Sequence, residues 1–299
     1  MRLRNIVSPA AIASLALLLA LPALSGPVQA ADGGKPAAKP APAQAAPQKT
    51  APQKATPQAQ PSPGRPAGQP DSHALDELAY QDCLAAVRKN PEDGFDTATT
   101  WVANGGGLAA GHCAALALIG LKQYADAADR LEKLLPQAKK QAPQMEVPIL
   151  DQAANAWMLA ELPQRARQLL DIAVKAEPDH IEIRIDRSMA EAAVDDYKAA
   201  RADLDVALSL DPTRDDAYAL RAAARRHLKD NKGAMEDAET ALAINARSSG
   251  ALLERGILRY EKGDLAGARK DFIQVRLLVP DSPAAISAGK YIEEMDVKQ

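Results

Sequence analysis

An all-α solenoid of stacked antiparallel helix pairs is the fold class that the sequence predicts, and three observations predict it. The stretch from Ile181 to Pro280 repeats itself every 34 residues, so that Ala200, Ala234 and Ala268 share one column. Each period holds two apolar patterns of helical spacing, separated by a short turn such as Lys262-Gly263-Asp264. Pro178, Pro212 and Pro280 close three of the periods, and Ala246 stands in the corresponding place of the other.

The N-terminus has a different character. Arg2 and Arg4 precede an apolar run from Ala10 to Leu21, and small residues lead to Val28-Gln29-Ala30. This is the layout of a secretory signal, with cleavage expected after Ala30. The apolar core is short for a membrane span, so no direct membrane insertion is expected after cleavage. An uncleaved segment would tether the chain to an inner membrane. Together with the Ala-rich composition, this layout predicts an exported protein of a bacterial periplasm or cell envelope. From 31 to 70 the composition collapses to Ala, Pro, Gln, Lys and Gly, which cannot bury enough apolar surface to offset its ordering entropy. A spacer is expected there; the alternative is a proline-rich ligand for a partner groove.

Seven of the 36 basic residues and one of the 39 acidic ones precede residue 71. The remainder therefore carries 29 and 38, a net charge of −9, which argues against nucleic acid and anionic lipid as partners. Two cysteines, Cys83 and Cys113, remain in the exported part, where an even number favours a disulfide. The rival reading makes His112-Cys113 part of a metal or thiol site, but no second ligand pair stands at suitable spacing, and no metal is expected.

In chain order, 71–107 reads as an N-terminal helical pair. Its first helix runs from Leu75 to Lys89 and its second from Glu92 to about Ala103, with Gly105-Gly106-Gly107 as the turn. Residues 108–146 read as a degenerate repeat: a small-residue helix (Leu108 to Leu121), an amphipathic helix (Tyr124 to Leu135), then an irregular connection from Gln137 to Val147. The interval from Ala127 to Ala166 is 39 residues, and the excess is expected on a loop. Four strict units follow at 147–180, 181–214, 215–248 and 249–281. Residues 282–299 supply a capping helix and tail, which a stacked array needs.

Within the strict units the eighth place is small (Ala154, Ser188, Ala222, Gly256) and the twentieth is Ala (Ala166, Ala200, Ala234, Ala268). The twenty-fourth is Leu170, Leu204, Ala238 and Phe272. With the closing proline, these columns resemble the tetratricopeptide repeat family over 147–280, more loosely over 108–135, and weakly over 71–104. The resemblance implies a right-handed superhelix whose first helices line a concave groove for a protein or peptide ligand. The family's contact places carried onto this sequence give Asp151, Asn155, Met158, Ile185, Met189, Arg226, His227, Leu253, Ile257 and Tyr260. Some of the apolar members are expected to be core. The Lys and Asn residues with which some family members clamp a chaperone's acidic tail are missing. The fifth and ninth places read Asp151/Asn155, Ile185/Met189, Ala219/Ala223 and Leu253/Ile257.

Two charged columns admit two readings. Arg187, Arg221 and Arg255 occupy the seventh place, and Asp203, Asp237 and Asp271 the twenty-third. They are either a ladder for an acidic ligand or ion pairs joining the two helices of a unit. In the unit from Val147 both columns change together, to Ala153 and Leu169, which favours the pairs. Arg221, Arg225, Arg226 and Lys229 also form a local basic cluster that an acidic segment would fit. His73, His112, His180 and His227 are scattered, without paired ligand spacing or a Gly-x-Ser-x-Gly turn. No catalysis and no cofactor are expected. The function expected is a non-catalytic scaffold that holds a partner in the groove; the alternatives are a holdase binding through Met158, Met189, Leu253 and Ile257, or a regulatory subunit of an envelope enzyme.

Overall fold

The computed structural model describes residues 72–297. The expected signal segment with its cleavage site at Ala30, and the expected spacer at 31–70, lie outside the described residues. Thirteen α-helices follow one another among the described residues. The first helices of successive pairs are α1 (Ser72–Lys89), α3 (Gly107–Gly120), α5 (Glu146–Leu159), α7 (Ile181–Ala193), α9 (Asp215–His227) and α11 (Ser249–Lys262). The second helices are α2 (Pro91–Ala103), α4 (Tyr124–Gln141), α6 (Pro163–Ala176), α8 (Tyr197–Leu210), α10 (Asn231–Ile244) and α12 (Leu265–Leu278). The chain of helices closes with α13 (Pro283–Val297).

The turn inside each pair is built the same way each time. Glu161, Asp195, Lys229 and Gly263, spaced at 34, all have positive φ, between 60° and 89°. The residue after each returns its N–H to the last turn of the first helix, as in Asp196 N–H to the Glu191 carbonyl at 2.9 Å. This left-handed C-terminal cap satisfies carbonyls that the helix end would otherwise orphan. Only Gly263 adopts that conformation without a Cβ penalty. Asp196, Asp230 and Asp264 then cap the second helices, their side chains accepting from the N–H of Ala199, Gly233 and Gly267.

The core between paired helices is fitted by size. Small residues of the eighth place face the twenty-fourth, and both columns are buried. Where the second column carries Phe272, the first carries Gly256: a Cβ on Gly256 would lie 2.6 Å from the Phe272 ring. Where it carries Ala238, the first can carry Ala222, and both join one core cluster with Ala234 and Leu258.

The extra residues between α4 and α5 correct one expectation. They lengthen a helix instead of forming a loop. The second helix of this pair runs on through Pro136 to Gln141, 18 residues against 14 in α6. Only a single 3₁₀ turn, Pro143–Met145, separates it from α5. The physical reason is the burial of Ala138, which anchors the added turn against the core, in a run of good helix formers.

Candidate functional site

Most first helices touch the next first helix, α1 with α3, α5 with α7, α7 with α9 and α9 with α11, and α11 touches α13. Second helices do not meet to a comparable extent among the described residues. The first helices therefore line the inner, concave side of the stack, and the second helices its outer side.

The charged columns lie between the two layers. Arg187 donates to Asp203 from Nε and Nη2 at 2.5 and 2.7 Å, Arg221 to Asp237 at 2.9 and 2.7 Å, and Arg255 to Asp271 at 3.0 and 2.7 Å. The fork-to-carboxylate geometry repeats three times. Each buried aspartate also takes a second arginine: Arg184 at 2.8 Å, Arg225 at 3.0 Å and Arg259 at 2.7 Å. Arg187 and Arg221 reach back as well, to Asp171 at 3.1 Å and Asp205 at 2.8 Å on the preceding second helix. This third column of acids was not singled out in the sequence, although Asp171, Asp205 and Glu239 keep the 34-residue spacing. It ties one unit to the next. In the unit that lacks the pairs, Ala153 and Leu169 are buried in the same apolar cluster. The basic cluster is likewise engaged: Arg221 and Arg225 serve Asp237, and Arg226 bonds Glu254 at 2.7 Å.

Cys83 and Cys113 form a disulfide that joins α1 to α3, with both residues fully buried. Next to it, buried His112 bonds the Tyr80 hydroxyl through Nδ1 and Gln152 Oε1 through Nε2, both at 2.6 Å. Because Gln152 Oε1 only accepts, Nε2 carries the proton and Tyr80 donates to Nδ1. Burial lowers the His112 pKa, against the hydrogen bond to Gln152. This chain of polar contacts crosses α1, α3 and α5 and holds the first three inner helices together.

The residues expected to line the groove divide. Ile185 and Ile257 are 5% and 4% exposed and point into the core, so they are withdrawn from the groove. The reason is local packing: Ile185 joins the core cluster of Leu204, Ala207, Leu208 and Ala217, and Ile257 that of Leu252, Phe272 and Val275. Met158, Met189, Leu253 and Tyr260 are half-buried against core clusters and keep one side accessible. His227 stacks flat on Tyr197, with ring centroids 4.1 Å apart, and burial lowers its pKa, aided by the charge of Arg226. Tyr260 and Tyr291 meet edge to face, and the Tyr260 hydroxyl donates to Glu294 at 3.1 Å.

The most distinctive group lies where α5 meets α7. Asp151 and Asp186 face each other across the two helices, and Asn155 Nδ2 donates to Asp186 at 3.2 Å and to Asp151 at 3.5 Å. Burial first, and then the neighbouring Asp186 carboxylate, push the Asp151 carboxyl up to about 8. Asp186 is raised too, mainly by burial. The pair behaves as two carboxyls sharing one proton. Among the described residues, no Lys or Arg forms an ion pair with either. Glu182, one turn away, is instead bonded by Arg214 at 2.7 Å. Asp186 stands at the sixth place, which the carried-over contact places do not include.

Paired helices at a 34-residue period, the left-handed turn residue and an inner layer of first helices define a tetratricopeptide-repeat-type α-solenoid. Three solved structures are among those to which the chain is similar. A thermophilic TPR protein of Thermus thermophilus, TTC0263, is 17% identical, with 60% of this chain and 95% of that one covered and a TM-score of 0.49. MamA is 20% identical, with 62% and 97% covered and a TM-score of 0.46. The second TPR domain of human RPAP3, solved in complex with an HSP70 peptide, is 24% identical, with 40% and 98% covered and a TM-score of 0.38. No protein-family model and no curated protein matches the chain.

Proposed function

We propose that this chain is a non-catalytic interaction scaffold of a bacterial periplasm or cell envelope, holding a protein or peptide partner along its concave face. The observation that carries this reading is the Asp151–Asp186 pair on the inner face, two carboxyls that no Lys or Arg of the described residues pairs directly, the charge of Arg214 acting on Asp186 only from its bond to Glu182. A lysine or arginine of a partner would supply that cation, while Met158 and Met189, further along the same two helices, offer apolar contact. The partner that suits the face is therefore a segment carrying a basic residue beside apolar anchors. The burial of Ile257 removes one of the four contacts on which a holdase would rely. Export is supported by the signal layout and by a buried disulfide, a bond that persists in oxidising compartments. The test is crosslinking in intact envelopes followed by mass spectrometry. The native protein is expected to recover one discrete partner, and Asp151→Asn with Asp186→Asn to lose most of it. Undiminished capture by the double variant would contradict the assignment.

A further inference from the structure

The seventh helix carries a buried carboxylate that the pairing scheme does not use. Glu191 is 4% exposed, and its Oε2 is sealed from solvent with no hydrogen-bond partner. It stands at the eleventh place, where the next two units carry Arg225 and Arg259. Those arginines reach the buried aspartates Asp237 and Asp271 of their own units. In the unit of Glu191 the second arginine comes from the fourth place instead, as Arg184 on Asp203. A carboxylate thus sits in an arginine's seat, with Asp203 opposing it.

The charged groups around it come from three helices. On its own helix, Arg187 Nε is 3.9 Å away, already engaged by Asp203 and Asp171. Helix α8 contributes Asp203 and, from its N-cap, Asp196; α6 contributes Arg167, itself 3.4 Å from Asp196. The remaining neighbours of α7 act elsewhere along it: α5 places Asp151 against Asp186, and the start of α9 places Arg214 against Glu182.

We propose that Glu191 is a pH-operated latch between α7 and the flanking helices α6 and α8, closed when the carboxyl is protonated and loosened when it ionises. Protonation removes the charge of a carboxylate that is sealed from water, and with it the repulsion from Asp203. Burial and the Asp203 charge push the Glu191 carboxyl up to about 7, while Arg187 and Arg167 pull it down. The folded protein thus keeps the proton after the unfolded chain has released it near 4.5. The stability that Glu191 contributes falls as pH rises from about 4.5 to about 7, then levels off. Helix α7 also presents Asp186 and Met189 to the concave side, so the latch would set the position of that wall. This last consequence rests on the proposed groove; the latch itself does not.

Amide hydrogen exchange on the full chain, corrected for intrinsic rates, tests it at pH 5 and pH 8. At pH 8 the amides of 181–210 in the natural protein are expected to exchange about tenfold or more faster than those of Glu191→Gln. At pH 5 the two are expected to coincide. Glu191→Met, an apolar side chain of similar length, is expected to behave as Glu191→Gln. Asp186→Asn, which disturbs the other near-neutral pair, is expected to keep the natural pH response at these amides. The proposal is overturned if both Glu191 variants keep that response, or if Asp186→Asn abolishes it. Undiminished partner capture by Asp151→Asn with Asp186→Asn, with the Glu191-dependent exchange pattern intact, would count against the groove and not against the latch.

Discussion

Asp237 accepts from both Arg221 and Arg225 while almost wholly buried, and this sets an asymmetry between its two sides. Asp237→Ala strands two guanidinium groups and is expected to cost about 3–5 kcal/mol, the range for breaking a buried pair from one side. Arg221→Ala leaves Arg225 in place and is expected to cost clearly less. Urea unfolding of the two variants, compared at one pH, checks the order. The Asp151–Asp186 pair gives a pH prediction of definite sign. Its folded pKa lies above the unfolded 3.8, so the pair weakens the fold as pH rises towards about 8. A cationic partner favours the ionised pair. Its affinity is therefore expected to rise with pH up to about 8, and titration calorimetry should show proton release on binding near pH 7. The Arg and Asp columns were legible in the sequence because they repeat. Glu191 and Asp186 were not, because a residue that departs from a column shows its neighbours only after folding.

At the level of the helix pair, the left-handed turn residue is the same structural demand met by four different side chains. Lys229→Gly and Glu161→Gly relieve a Cβ penalty at positive φ and are each expected to stabilise by about 0.5–1 kcal/mol. Gly256 makes the opposite case. Gly256→Ala would drive a Cβ into the Phe272 ring and is expected to cost about 1–3 kcal/mol. Adding Phe272→Leu is expected to return part of that loss, and a double-mutant cycle by thermal unfolding reads the coupling. The turns and small-residue columns could be placed from the sequence by their spacing. The length of α4 could not, since Pro136 reads as a stop and only the burial of Ala138 shows why the helix continues.

Across the whole molecule, each unit is supported by its neighbours, through apolar seams and through arginines that span two units. Among the described residues the N-terminal pair shows no such ion network; it has the disulfide and the Tyr80–His112–Gln152 chain. Cys83→Ser with Cys113→Ser, closing a loop of 30 residues no longer, is expected to lose about 3.5 kcal/mol. Hydrogen exchange should place the loosening in α1 to α3 and leave α9 to α13 unaffected. The solenoid and its two layers followed from periodicity, because stacking is what a repeat demands. The groove residues followed less well, because the carried-over contact places include Ile185 and Ile257, and only packing decides which way each side chain turns. The central claim is that a partner lies along the inner layer. Photo-crosslinking from a reactive residue placed at Met189, against the same residue at Ile172 on an exposed part of the outer layer, tests it most directly. The account predicts a discrete crosslinked partner from position 189 and none from 172. Equal capture from both positions, or capture from 172 alone, would contradict it.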